Sequence, residues 1–149
     1  DGIWAAAETA FEETKSAEIL ASYAEKNGFK VERGVAEIPT AFVATYGSGK
    51  PVISILGEFD ALPGISQKAK PTKDPLVDKG NGHGCGHNLF GSASLGAAIA
   101  IKELIEKGKI KGTVKFFGTP SEEKFFGKLF APVIAVFKNV FGRLFWEEA

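Results

Sequence analysis

Hydrophobic and polar positions along this chain follow two different rhythms. From Ile3 to about Lys26, Ile3, Ala7, Phe11, Ile19, Leu20 and Tyr23 fall near one face at the 3.6-residue period. That spacing predicts an amphipathic helix, and Asn27-Gly28 supplies its stop. Phe29 to Glu32 and Thr40 to Tyr46 predict strands, with Gly47 to Pro51 as the turn that follows. The run from Pro51 to Gly57 is almost wholly apolar, as expected of a central strand covered on both faces. Residues 63–82 are polar, proline-bearing and aperiodic, which predicts a long loop of the kind a compact domain keeps for function. A second helix is expected over Leu89 to Lys107, capped by Asn88, with a small-residue face (Gly91, Ala93, Gly96, Ala97, Ala100) suited to close approach to a sheet. Gly112 to Gly118 reads as another strand. Strand, helix, strand in that order implies an α/β fold with right-handed crossovers.

Composition narrows the class. A chain of 149 residues suits one domain. It is 44% apolar and 24% charged, the balance of a globular protein. Lysine plus arginine number 18 and aspartate plus glutamate 18, so no global field favours nucleic acid or an anionic membrane. The single cysteine excludes an internal disulfide and fits a reducing compartment. Neither a cleavable leader nor an apolar run of ~18 residues is evident, which makes a cytoplasmic protein without a membrane partner the default. The chain has no methionine and opens inside the first helical pattern, so it is expected to be a piece of a longer protein.

Candidate chemistry collects in three places, each after an apolar strand. The first is Glu58-Phe59-Asp60-Ala61-Leu62-Pro63. The second, Asn81-Gly82-His83-Gly84-Cys85-Gly86-His87-Asn88, holds both histidines and the only cysteine at alternate positions, with glycine between. The third is Glu122-Glu123. Alone, Glu58 and Asp60 read more simply as solvated turn carboxylates, although their spacing puts both on one side of an extended chain. Glu122-Glu123 could likewise be the first turn of a helix after Ser121. The His/Cys loop differs, because a core has no use for glycine-spaced imidazoles and thiols, whereas a metal centre does. A thiolate and an imidazole fill only part of the coordination sphere of a zinc-type ion. One nearby carboxylate would add a ligand. A second, held off the metal, could act as base, since such an ion lowers the pKa of water to about 7.

Taken together, Glu58 to Gly64, Gly80 to Asn88 and Gly118 to Glu123 resemble the signatures of the aminobenzoyl-glutamate hydrolase type within the metal-dependent amidohydrolase and peptidase superfamily, relatives of aminoacylases, acetylornithine deacetylase and indole-acetyl-amino-acid hydrolases. The resemblance runs from about Ile3 to Glu123. It implies a three-layer αβα architecture with a mostly parallel mixed sheet, the N-terminal part of a zinc-peptidase-like catalytic domain over residues 1–123. It also implies Cys85, His87 and Glu123 as metal ligands, Glu122 as general base, and a centre of two Zn2+ or Mn2+ ions. Asp60 matches the aspartate that orients a ligating histidine in relatives with His-x-Asp, but here that histidine position is Glu58, which leaves the role of the pair open. His83 falls where the family has a histidine not counted as a ligand. The implied activity is hydrolysis of an amide bond in a small-molecule N-acyl amino acid or aminobenzoyl-glutamate-like substrate, by a homodimer that assembles through a domain absent here.

Residues 124–149 depart from that pattern. Phe126, Phe130, Val133, Phe137, Val140, Phe141 and Leu144 recur at roughly helical spacing, interrupted by Pro132, and predict a Phe-rich helical tail. No histidine follows His87, so the dinuclear ligand set is incomplete within this chain. The competing expectation is therefore a catalytically degenerate metal-binding or assembly module of the same fold.

Overall fold

The computed structural model describes residues 1–125 of the chain. The Phe-rich segment expected to be helical lies outside them. The elements in order are α1 (Gly2–Ala6), α2 (Thr14–Lys26), β1 (Lys30–Arg33), a short 3-10 turn (Val35–Glu37), β2 (Phe42–Ser48), β3 (Val52–Glu58), α3 (His87–Glu106), β4 (Gly112–Thr119) and α4 (Glu122–Phe125). Four strands form one mixed sheet in the order β1-β2-β4-β3.

The α/β class is as expected, with β3, α3 and β4 forming a strand–helix–strand unit whose strands pair in parallel. The sheet is mixed as expected: among the described residues β3–β4 is the parallel pair, and β1–β2 and β2–β4 are antiparallel. The chain returns from β1 to β2 through a short connection, which reverses direction, whereas a parallel pairing needs a crossover such as α3. Within residues 1–125, α2 and α3 pack against the same sheet face, on Phe42, Ala44, Val114 and Phe116.

The single helix expected from Ile3 to Lys26 is two helices. Neither proline nor glycine marks the break, so tertiary contacts impose it. Ala7 takes a left-handed φ of 41°, Thr9 bridges Ala61, and the Ala61 N–H donates to the Glu8 carbonyl at 2.8 Å. The Glu8 carboxylate then turns back to cap α2, accepting from the Lys15 N–H at 3.0 Å and the Ser16 N–H at 2.9 Å. The break also resets the helical phase. The buried stripe of α2 is Ala17, Leu20, Ala21 and Ala24, while Phe11, Ile19 and Tyr23 from the expected apolar face are exposed.

β3 is an edge of the described sheet rather than a central strand, and Val52, Ile53 and Leu56 are exposed accordingly. α3 begins at His87, with Gly86 as its cap in the left-handed region at φ 88°, so Asn88 is not the cap. Of its small-residue face only Gly91 is buried, because the stripe against the sheet is His87, Gly91, Leu95 and Ala98, at spacings of four, four and three. At Gly91 the approach is as close as the composition suggests. A Cβ there would lie 2.6 Å from the Glu58 carbonyl oxygen.

Candidate metal centre

β3 and β4 run parallel with Glu58 opposite Thr119, so their carboxyl ends emerge side by side. Open α/β sheets present their chemistry at that end. The chain leaves β3 into Phe59 and Asp60, both buried, and leaves β4 through Pro120 and Ser121 into Glu122 and Glu123. α3 starts at the same end. His87 lies four residues before Gly91 and hence on the same helix face, so the tight Gly91 contact lowers the imidazole onto the strand ends.

Four carboxylates surround this one ring. Asp60 Oδ1 lies 2.9 Å from His87 Nδ1, and Glu58 Oε2 lies 3.2 Å from Nε2. Glu122 and Glu123 each approach to 4.0 Å, toward Nε2 and Nδ1 respectively. Asp60 uses both oxygens, because Oδ2 accepts the Glu123 N–H at 2.9 Å. Glu58 and Asp60, left open as turn carboxylates, therefore face the same imidazole from its two nitrogens.

The protonation pattern follows from these contacts. The Asp60 hydrogen bond, reinforced by the charges of Asp60, Glu58 and Glu123, raises the His87 pKa against the opposing effect of burial. Burial pushes the Asp60 carboxyl up, but the His87 hydrogen bond and the Glu123 N–H outweigh it and hold Asp60 below its ordinary value. Desolvation, followed by the nearby Glu123, Glu122 and Glu58 carboxylates, pushes the Cys85 thiol up. A cation at this point would reverse that shift, since a coordinating thiol deprotonates.

Two overlapping groups of donors can hold a metal ion among the described residues. The ligand atoms of Cys85, His87 and Glu123 all lie within 4.8 Å of one another, and so do those of Glu58, His87 and Glu122. The donor set fits a zinc-type ion in kind: thiolate, imidazole and carboxylate. One further observation favours a cation. Glu123 Oε1 is buried with no hydrogen-bond partner, and its ion pair with His87 Nδ1 is long at 4.0 Å, an arrangement that is costly for a buried carboxylate oxygen. Cys85 is exposed, so the centre opens toward solvent on the thiol side.

His83 sits apart and belongs to neither group. Its Nε2 lies 3.0 Å from the Ile3 carbonyl oxygen, its ring stacks with Trp4 at 6.3 Å, and burial lowers its pKa. It ties α1 to the glycine-rich loop. Ser121 has a left-handed φ of 61° and a buried hydroxyl without a hydrogen-bond partner, so it does not cap α4 as a first-turn reading would have it. Glu13 escaped the sequence reading altogether. It is fully buried, with Oε2 accepting from Thr40 Oγ1 at 3.2 Å and Oε1 accepting from the Ser121 N–H at 2.8 Å. Nothing in the sequence separates it from the solvated glutamates beside it.

A mixed α/β sheet with thiol, imidazole and carboxylates gathered at parallel strand ends defines a candidate metallo-site of the α/β class. The chain belongs to peptidase family M20/M25/M40, whose profile matches residues 55–143. It is 52% identical over 148 residues to one of the subunits of the Escherichia coli p-aminobenzoyl-glutamate hydrolase, covering 99% of this chain and 31% of that protein. It is 35% identical over 100 residues to N-acetyl-L-cysteine deacetylase of Bacillus subtilis, covering 62% of this chain and 23% of that one. Among solved structures it resembles a Bacillus subtilis protein described as a dinuclear metal binding peptidase of the M20 family, with a TM-score of 0.64 and 30% identity over 78% of this chain and 32% of the other. The chain thus spans about a third or less of the length of these relatives.

Proposed function

We propose that this chain supplies part of the active site of a metal-dependent amidohydrolase acting on an N-acyl amino acid or an aminobenzoyl-glutamate-like substrate. Cys85, His87 and Glu123 would hold an ion, Zn2+ or Mn2+. The observation that carries the reading is the convergence of their ligand atoms within 4.8 Å, with a buried Glu123 oxygen that has no hydrogen-bond partner among them. The family and the name of the Escherichia coli relative support the amide substrate.

When bound, the ion supplies Lewis acidity toward water and toward the amide carbonyl. Asp60 Oδ1, 2.9 Å from Nδ1 of His87, fixes the orientation of the ring. Asp60 also pins the Glu123 backbone, so one buried carboxylate orients two of the three ligands. Glu122, next to Glu123 but directed toward the other imidazole nitrogen, would take a proton from the attacking water as the C–O bond forms. It would return that proton to the amine nitrogen as the C–N bond breaks. A donor on a different element completes the ligand set in this reading.

A second arrangement is favoured by the orientation of His87. Because Nδ1 is engaged by Asp60, the available nitrogen faces Glu58 at 3.2 Å and Glu122 at 4.0 Å. In that arrangement Glu58 is a ligand and Glu122 binds metal instead of moving protons. Glu58→Gln distinguishes the two, leaving affinity within about threefold in the first and lowering it about tenfold or more in the second.

Amine release from N-acyl amino acids and from p-aminobenzoyl-glutamate, with and without added Zn2+ or Mn2+, tests the activity. Release that depends on metal and falls about 10²- to 10⁴-fold in Glu122→Gln supports the hydrolase with Glu122 as base. Release that is unaffected by chelation counts against it.

A further inference from the structure

We propose that Glu13 is a positioning residue that locks the backbone of Ser121 and thereby sets the direction in which Glu122 and Glu123 enter the metal centre.

The Glu122-Glu123 pair must present two carboxylates in different directions from consecutive residues, and a strand end by itself does not fix that turn. Here the segment is fastened at both ends. On the far side, Asp60 Oδ2 accepts the Glu123 N–H at 2.9 Å. On the near side, Glu13 Oε1 accepts the Ser121 N–H at 2.8 Å. Between these points the chain adopts φ 61° at Ser121, a left-handed conformation that a non-glycine residue enters at a cost and keeps only when its surroundings over-determine it. The Ser121 side chain does not hold that turn, since its hydroxyl is buried without a hydrogen-bond partner. The Glu13 bond does.

Glu13 is suited to the task by its own anchoring. It occupies the position before the first residue of α2, its carbonyl accepts the Ala17 N–H at 2.9 Å, and its second oxygen takes the Thr40 hydroxyl at 3.2 Å beside β2. One fully buried side chain therefore joins α2, the approach to β2 and the exit of β4. Removing the acceptor would leave a buried N–H unpaired at a residue already in a strained conformation. The hydrogen bonds of the Glu13 side chain run to the Thr40 hydroxyl and the Ser121 N–H, so its effect is carried by backbone placement. This inference rests on the reading of Glu122 and Glu123 as base and ligand.

Amide hydrogen exchange on the full chain without metal tests it, comparing Glu13→Met, which has no acceptor, with Glu13→Gln, which keeps one. In Glu13→Met the protection of the Ser121 and Glu123 amides should fall about tenfold, while Val114 to Phe117 in β4 keep theirs. Glu13→Gln should stay within about threefold of the parent at the same amides. Cobalt titration supplies the second readout, with affinity about tenfold lower in Glu13→Met and rescued in Glu13→Gln. Should Glu13→Met fail to fold, Thr40→Val takes its place, with an expected loss of about threefold at the Ser121 amide. Unchanged protection at Ser121 and Glu123, or a loss spread evenly over β4, overturns the proposal. Absence of cobalt binding by the parent chain would overturn the metal reading instead, and the exchange result would still decide the role of Glu13.

Discussion

The Asp60 carboxylate lies 2.9 Å from Nδ1 of His87, at the start of α3, and this contact joins the end of β3 to the glycine-rich loop. Through its other oxygen the same side chain receives the Glu123 N–H. A single buried residue thus contacts both His87 and Glu123, two candidate ligands that arrive from different connections. The sequence resemblance matches Asp60 to an aspartate expected to orient a histidine two residues before it. In this chain position 58 is glutamate, and Asp60 serves His87 across the fold instead.

Asp60→Asn keeps the shape but removes the charge and one acceptor. Zinc affinity measured by isothermal titration should fall about 10- to 100-fold, the usual cost of losing the partner that orients a ligand. Affinity equal to that of the parent would mean that His87 needs no such support.

Metal affinity should rise with pH through neutrality. Both His87 and Cys85 are held above their ordinary values, and each must shed its proton before it can donate to an ion. Titrations in buffers of different ionisation enthalpy should therefore show proton release that accompanies binding. The metal-free chain should respond in the opposite sense. A raised His87 pKa contributes stability that is complete below its ordinary value of 6.5 and is lost as pH rises through the folded value. Asp60, held low, contributes stability above its ordinary value of 3.8 that is lost as pH falls through its folded value. Urea unfolding at several pH values, without metal, separates the two effects.

Gly91→Ala should destabilise the fold even though alanine is the better helix former. In an exposed helix the exchange would gain up to about 1 kcal/mol. Here the new Cβ would meet the Glu58 carbonyl oxygen at 2.6 Å and Leu20 Cδ1 at 3.3 Å, and the backbone oxygen cannot turn aside. A net loss of about 1–3 kcal/mol is expected in chemical denaturation, as for overpacked cores. Because α3 carries His87, zinc affinity should drop in the same variant.

Much of the fold was legible in the sequence, and the places where it was not share one cause. β1, β2, β3, α3 and β4 lie close to where periodicity and turn residues put them, because local propensity and tertiary packing agree there. The break between α1 and α2 was invisible, since Glu8 and Thr9 carry no breaker signal and the interruption comes from pairing with Ala61, some fifty residues later. The apolar run of β3 read as a central strand because periodicity reports how apolar a segment is and not what covers it. At the candidate centre, glycine spacing marked the Cys85 and His87 loop, and the strand-end position marked Glu122 and Glu123. Glu13 was illegible for the opposite reason. A buried glutamate and a solvated one look alike in sequence, and only long-range contacts with Thr40 and Ser121 tell them apart.

The most direct test is a cobalt or zinc titration of the chain beside its Cys85→Ser and Glu123→Gln variants, with cobalt absorption reporting the ligands. The expected result is one ion bound with a thiolate-to-cobalt band in the parent, loss of that band in Cys85→Ser, and affinity at least about tenfold weaker in both variants. Equal affinity in all three, with no thiolate band in the parent, would contradict a metal centre built on Cys85, His87 and Glu123.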